Sequence, residues 1–276
     1  MLRACGRYTV PLPVCESILA QWVAKQSGAE LPEGIPGLLT GGYSIQGSKF
    51  ALNKSVVPWG NRCSYYIAIH DSHLFVLEAQ NQEAEGQNNL GRDPRDRISG
   101  EAKILDKLPT ALDNDSLLYL GALVRSIQIG GASAAALDLA VKYASDREQF
   151  GRSLAKFQAI QHHLADLAGL VASVDAIAIA ACARLDRSGI TDNQRNARFE
   201  IAAAKCRASE AVEKITRLSH QIHGAIGFTY EYGLHFLTRR MWAWRTEYGG
   251  VAYWGEELGK LAVEQGGNEI WPIITA

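Results

Sequence analysis

No excess of either charge marks this chain: 28 Lys and Arg stand against 29 Asp and Glu, a formal net charge of -1 over 276 residues. Such a balance supplies no general pull toward phosphate backbones or anionic lipid, and no local basic run replaces it, so neither a nucleic acid nor a membrane surface is expected as partner. Long apolar runs are lacking too. Ile129 to Leu137 and Ala176 to Ala183 are interrupted or bounded by polar residues and fall short of the roughly 20 residues that cross a bilayer. Met1-Leu-Arg-Ala-Cys-Gly lacks the charged, apolar and small-residue succession of a secretory signal, and Pro11 and Pro13 interrupt the next apolar stretch; a cytoplasmic location is expected. The five cysteines, Cys5, Cys15, Cys63, Cys182 and Cys206, are widely spaced and form no C-x-x-C pair. That excludes a disulfide framework and a zinc site and leaves buried thiols. Neither G-x-G-x-x-G nor G-x-x-x-x-G-K-[ST] occurs, so a nucleotide would have to be held without a Rossmann turn or a P-loop. His220 and His223 share an i, i+3 spacing, but no Glu-x-x-His pair accompanies them, and the adjacent His162 and His163 point to different sides of a helix. No metal site is expected.

What is present falls into three regimes. Residues 1–37 hold one short helical pattern, Glu16 to Lys25, with Ile18, Leu19, Trp22 and Val23 on one side, and end in Pro32-Glu-Gly-Ile-Pro-Gly. That is too little for a domain. Residues 38–112 change to short β-rich runs, Tyr65 to His70 and His73 to Glu78, split by Asp71-Ser72, which predicts a small antiparallel sheet or barrel. The polar stretch from Gln80 to Asn89 reads as an exposed loop. Residues 113–276 contain no proline from Ser116 until Pro272 and are rich in alanine, so long helices are favoured. Segments Ala132 to Ser145, Ser153 to Asp186, Asp192 to His223 and Leu234 to Arg245, joined by short connections, predict an up-and-down bundle. In the second of them Ser153 is the expected N-cap, and Leu154, Phe157, Gln161, Leu164, Ala168 and Val171 form the expected packing stripe.

Two stretches carry chemistry. Asp146-Arg-Glu-Gln-Phe-Gly-Arg places an arginine and an aromatic beside a glycine turn between two helices, which suits pyrophosphate pairing and ring packing. A solvated helix-end charge is the plainer reading of Arg147 alone. His220-Gln-Ile-His-Gly-Ala-Ile-Gly-Phe ends a helix in two glycines that let backbone approach a ligand, or that simply cap it. Taken together, Ala136-Leu-Asp-Leu-Ala-Val-Lys-Tyr-Ala-Ser-Asp-Arg-Glu-Gln-Phe-Gly-Arg, Phe157-Gln-Ala-Ile-Gln and Gln221-Ile-His-Gly-Ala-Ile-Gly-Phe resemble the C-terminal bundle of the acyl-CoA dehydrogenases, over roughly Leu120 to Tyr253. The resemblance implies a mainly α fold with a small β-barrel: a four-helix bundle preceded by a reduced β domain and a remnant of the family's N-terminal helical domain. It also implies FAD lying across a subunit interface.

Carried over residue by residue, Arg147, Gln149 and Phe150 hold the family's R-x-[TQ]-F-G positions, which reach the FAD pyrophosphate and adenosine of the neighbouring subunit, and Gln158 belongs to the same surface. Gln221, Gly224 and Ala225 match the Gln-Ile-x-Gly-Gly positions that close on the other end of that dinucleotide, with Ala225 in place of the second glycine. The family removes an α-proton from an acyl-CoA with a carboxylate while the β-hydrogen leaves to the flavin. The segment that carries this base reads Arg245-Thr-Glu-Tyr-Gly-Gly here, which makes Glu247 the candidate, although a gap-free count from Gln221 lands on Tyr248. The Trp-Ile-Thr strand that contacts the flavin ring corresponds to Lys54-Ser-Val-Val-Pro-Trp-Gly-Asn, with Val56 and with Pro58, which has no N–H to donate. Trp242, Trp244, Tyr248, Tyr253 and Trp254 are placed to line a wide pocket, or to fill an interface or the bundle core.

These features imply an FAD-dependent acyl-CoA dehydrogenase subunit that completes the pocket of a full-length partner and passes electrons to an electron-transfer flavoprotein. A self-sufficient homo-oligomer using Glu247, and a catalytically silent scaffold, are the alternatives.

Overall fold

The computed structural model describes residues 1–191 and 196–275. These form two compact units, one of Val10–Gly121 with residues 190 and 191, the other of Met1–Thr9, Ala122–Gly189 and the described residues from 196 onward. Helix α1 (Leu2–Arg7), which the sequence patterns did not reveal, belongs to the second unit, and α2 (Val14–Ser27) to the first. The buried face of α2 is Cys15, Leu19, Ala20, Val23 and Ala24, a strip rotated away from the expected Ile18 and Trp22. It stops at Gly28, whose φ of +64° is the left-handed cap that only glycine adopts freely.

The β unit contains β1 (Pro36–Leu39), β2 (Tyr43–Gln46), β3 (Lys49–Pro58), β4 (Tyr65–His70), β5 (His73–Glu78), β6 (Glu83–Glu85), β7 (Arg95–Ala102) and β8 (Ile104–Pro109). They make two four-stranded sheets, ordered β1-β4-β5-β8 and β2-β3-β7-β6. Leu39, Tyr66, Phe75 and Leu77 of one sheet pack with Phe50, Leu52, Val57 and Ile98 of the other. The expectation of antiparallel pairing holds except where β1 runs parallel to β4, because the chain crosses to the other sheet through β2 and β3 before returning. Within the polar stretch from Gln80, β6 is an edge strand whose three residues are all exposed.

The helical unit continues with α3 (Ser116–Asp146), the two-residue strands β9 (Glu148–Gln149) and β10 (Arg152–Ser153), α4 (Gln158–Ser188), α5 (Arg198–His223), α6 (Leu234–Trp244), α7 (Val251–Gln265) and α8 (Gly267–Thr275). The sequence patterns placed the start of α3 at Ala132; it begins sixteen positions earlier because the near-continuous apolar run from Leu117 has no single-face period to mark it as helix. Ser153 is not an N-cap. It ends β10, a 3₁₀ turn comes next, and α4 starts at Gln158. The buried strip of α4 is Leu167, Val171, Val174, Ala178 and Ala181, while Gln161 and Ala168 are exposed. Of the expected Asp192 to His223 helix, residues 192–195 lie outside the described residues, and α5 starts at Arg198.

Ile129, Ala132, Ala136 and Ala140 of α3 interlock with Leu167 and Val174 of α4, Val212 and Ile215 of α5, and Met241 of α6. Helix α1 lies on α3 because both carry glycine there: a Cβ at Gly6 or Gly131 would run into the facing backbone. Arg3 then pairs with Asp175 through two hydrogen bonds (3.1 and 2.7 Å), and Arg7 with Asp138 (2.6 Å). Both α3 and α4 contain 18-residue windows apolar enough to cross a membrane by length and composition, although the uninterrupted apolar runs within them are shorter. In α3 that window is 83% buried within the protein, as in a core helix, and in α4 it is 28% buried.

Candidate functional site

The C-terminal ends of α3 and α5 meet. The ring of Tyr143 stacks on His223 at 4.8 Å, and Tyr232 closes against His223 at 5.0 Å. The His223 Nδ1–H donates to the Ser219 carbonyl (2.7 Å), which leaves Nε2 as the acceptor for the Tyr232 hydroxyl (3.2 Å). One helical turn beyond Tyr143, the Arg147 N–H donates to the Tyr143 carbonyl and the Leu154 N–H to the Arg147 carbonyl, both at 2.9 Å. These bonds seat the β9–β10 hairpin on the end of α3.

In the hairpin, Gln149 faces Arg152, and the two-residue turn is Phe150-Gly151 with φ of +54° and +78°. A turn with positive φ at both central residues suits Asn or Gly. A phenylalanine there costs roughly 1 to 3 kcal/mol of backbone strain, and its ring is 91% exposed, touching only the edge of Phe157 at 6.2 Å among the described aromatic contacts. Local stability does not account for this residue. Beside it the Arg152 guanidinium lies over Phe157 at 4.1 Å, and Gln158 opens α4 with its side chain exposed.

From the other side, α5 ends at Gly224, with φ +62° and with no atom near the place a Cβ would take, so its backbone is open to approach. Gln221, Gly224 and Ala225 are all exposed. Gln221 and Gly224 border a cleft of about 720 Å³ between α5 and α6, walled by Arg217, His220, Phe228 and Trp242. The His220 ring stacks on Phe228 at 4.2 Å. Burial lowers the pKa of both His220 and His223, and for His220 the neighbouring His223 and His235 push the same way. Both imidazoles are therefore neutral near pH 7, and the cations at this end include Arg147, Arg152, Arg217 and Arg239, with Glu213 on the same cleft wall. Cations, exposed ring faces and open backbone are the features that hold a phosphate and a planar ring together.

Glu247 is elsewhere. It follows α6 and reaches Arg125 of α3, about six helical turns, roughly 33 Å, upstream of Arg147. The Arg125 Nε–H donates to Glu247 Oε2 at 2.7 Å, the other arm donates to the Gln128 Oε1, and the guanidinium sits 5.4 Å from the Tyr248 ring. Arg125 is 2% exposed. Close by, the Lys205 ammonium of α5, fully buried, donates to the carbonyls of Trp244 and Arg245, both at 2.9 Å, and to the Ser209 hydroxyl. Neither Arg125 nor Lys205 was singled out from the sequence. Arg125 is a lone charge in an otherwise apolar helical stretch, the signal that could have found it; Lys205, with Glu200 and Arg207 close by in the same helix, carries no such signal.

The seven residues matched to the cofactor motifs thus gather at one end of the bundle, and Glu247 does not join them. The aromatic set expected to line one pocket is dispersed: Trp244 and Trp254 are buried, Trp242 walls the cleft and Tyr248 faces Arg125. Two thiols are buried, Cys5 and Cys15, and the other three are half-buried; burial pushes Cys63 up to about 12.

Residues 115–250 match the family described as acyl-CoA dehydrogenase, C-terminal domain. The chain is 36% identical over 141 residues to a probable acyl-CoA dehydrogenase, fadE25, of Mycobacterium leprae, covering 51% of this chain and 34% of that protein. It is 35% identical over 140 residues to acyl-CoA dehydrogenase IpdE2 of Mycolicibacterium smegmatis, covering 50% and 42%. It therefore spans between a third and a half of these relatives' lengths. In fold it is similar to the ChsE4-ChsE5 complex from Mycobacterium tuberculosis, with a TM-score of 0.78 at 20% identity, over 94% of this chain and 78% of that one.

Proposed function

We propose that this chain, which belongs to the acyl-CoA dehydrogenase family, is a subunit of an FAD-dependent acyl-CoA dehydrogenase that completes the flavin pocket of a full-length partner. In this reading Arg147 pairs with the pyrophosphate, Phe150 packs on the adenosine, Gln149 and Gln158 border them, and Gln221, Gly224 and Ala225 close over the same dinucleotide. A bound flavin would supply the hydride acceptor for α,β-dehydrogenation of a CoA thioester, with an electron-transfer flavoprotein as the proposed electron acceptor. The observation that carries the reading is Phe150: a strained backbone presenting an apolar ring to the outside is explained by a group that the ring meets there. The fit is to one end of FAD only. On the β unit, Val56 is 55% exposed and apolar and Pro58 offers no N–H, so the isoalloxazine ring is left to the partner. The largely exposed apolar window of α4 also suits a subunit of a larger assembly, as does the two-component name of the ChsE4-ChsE5 neighbour.

Replacing Arg147 by alanine tests this. Removing one charge-assisted contact, worth roughly 1.5 to 3 kcal/mol, weakens FAD binding by the assembled enzyme about ten- to hundredfold. Unchanged flavin affinity assigns the chain a scaffold role instead.

The self-sufficient reading keeps Glu247 as base, and its low exposure, 15% for the side chain, favours it. The Arg125 pair opposes it, because an adjacent guanidinium stabilises the ionised carboxylate and makes it a weaker proton acceptor. Glu247→Gln separates the two: the assembled enzyme keeps its kcat if the base lies on the partner, and loses about 10²- to 10⁴-fold if Glu247 is the base.

A further inference from the structure

The loop between α6 and α7 is held from three sides. At its start, α6 ends without a glycine cap, since Arg245 keeps the right-handed helical conformation. The last carbonyls of a helix have no partner within it and sit at the negative end of its dipole. Here Lys205 and Ser209 of α5 take them: the ammonium donates to Trp244 and Arg245, and the Ser209 hydroxyl donates to Arg245 as well (3.1 Å). At its middle, Glu247 meets Arg125. At its end, Tyr248 and Gly249 have φ of +55° and +90°, and the Tyr248 carbonyl accepts the Trp254 indole N–H at 2.9 Å.

We propose that Lys205 is the positioning residue of this loop: with Ser209 it anchors the C-terminus of α6 and so sets where Glu247 lies against Arg125. A cation with no exposure is costly to bury, and a methionine would pack there without that cost, so the three acceptors it satisfies account for its presence. Removing it leaves the Trp244 carbonyl without this donor and the Arg245 carbonyl with the Ser209 hydroxyl alone. The groups facing it are Glu247 and Arg245 of the loop, Arg125 of α3 and Cys206 of α5. Burial lowers its pKa to about 7, Arg125 and Arg245 act in the same direction, and Glu247 opposes them. When the loop opens, water reaches the amine and its pKa returns toward 10.5. The open form then binds more protons; above pH 7 the closed form holds the neutral amine, which still donates to two of the three acceptors, and relief of the buried charge outweighs the third bond, so raising the pH favours the closed loop.

The clamp consists of contacts within this chain and does not depend on the proposed function. Hydrogen exchange of the full chain, corrected for the intrinsic rate, tests it without flavin or acyl-CoA. In Lys205→Met the amides of Thr246 to Gly250 exchange at least tenfold faster and the Trp254 indole resonance shifts, while Ala132 to Ala144 keep their protection. Ser209→Ala, which retains the cation, gives a smaller increase of about threefold. Protection of the wild-type loop rises between pH 7 and 9, and that dependence vanishes in Lys205→Met. Should Lys205→Met not fold, Ser209→Ala and the wild-type pH series decide. Wild-type loop protection in both variants, or in Ser209→Ala with a flat wild-type pH series, overturns the clamp. Failure of the flavin reading would instead appear as unchanged FAD affinity in Arg147→Ala and leave these exchange rates where they are.

Discussion

Phe150 has a backbone conformation that asparagine adopts more easily, and an exposed ring that contributes little within the chain. Phe150→Asn is therefore expected to stabilise the chain by about 1 kcal/mol, raising Tm by roughly 2 to 4 °C, while weakening flavin retention by the assembled enzyme. Calorimetry together with a flavin titration checks both signs, and a loss of Tm would remove the strain argument. Arg125 is the opposite case. Its pair with Glu247 is almost wholly shielded, so Arg125→Met leaves a carboxylate without its cation and is expected to cost about 3 kcal/mol in urea unfolding. Adding Glu247→Gln should recover part of that loss, and strict additivity would show that the two groups do not couple. Lys205 contributes a pH dependence of known sign. Its folded pKa of about 7 lies below the unfolded 10.5, so the unfolded chain holds more protons between these values and stability rises with pH across that window. The cost of burying the charge is complete below pH 7. Lys205→Met should flatten this slope, as urea midpoints measured on either side of neutrality and again well above it would report.

Among the elements, α1 depends on glycine at its crossing with α3. Gly131→Ala forces the helices apart and is expected to destabilise by about 1 to 3 kcal/mol, with amides of Leu2–Arg7 exchanging faster; unchanged exchange there would mean that the crossing adapts freely. Most of the bundle was legible because α5 and α6 alternate buried and exposed positions at helical spacing, so that His223 and Leu234 mark true ends. The early turns of α3 were not, since Leu117 to Ile129 is apolar nearly all round and carries no face. The start of α4 was misread because Ser153 is a good N-cap in isolation, whereas hairpin pairing with Glu148 takes its backbone. Helices α1 and α8 were missed because they are short, six and nine residues, and α7 was not singled out. The site showed the same division. Arg147, Phe150 and Gly224 were singled out as candidates because their motifs are contiguous, as was Glu247, whereas its meeting with Arg125 and Lys205 joins separate helices and a loop that no local window spans.

At the scale of the whole molecule, one chain carries a bundle that matches the family's C-terminal domain over residues 115–250 and a β unit of two four-stranded sheets. In the proposed reading, the exposed Arg147, Phe150 and Gly224 of the bundle face a dinucleotide that is bedded in a partner. In that reading the chain contributes residues to a site completed by a neighbour. The most direct test is flavin content per subunit, measured on the purified chain and again after co-purification with a full-length acyl-CoA dehydrogenase encoded beside it. The account predicts a colourless isolated chain and stoichiometric FAD only in the complex, lost with Arg147→Ala. A yellow isolated chain carrying one FAD per polypeptide would contradict it.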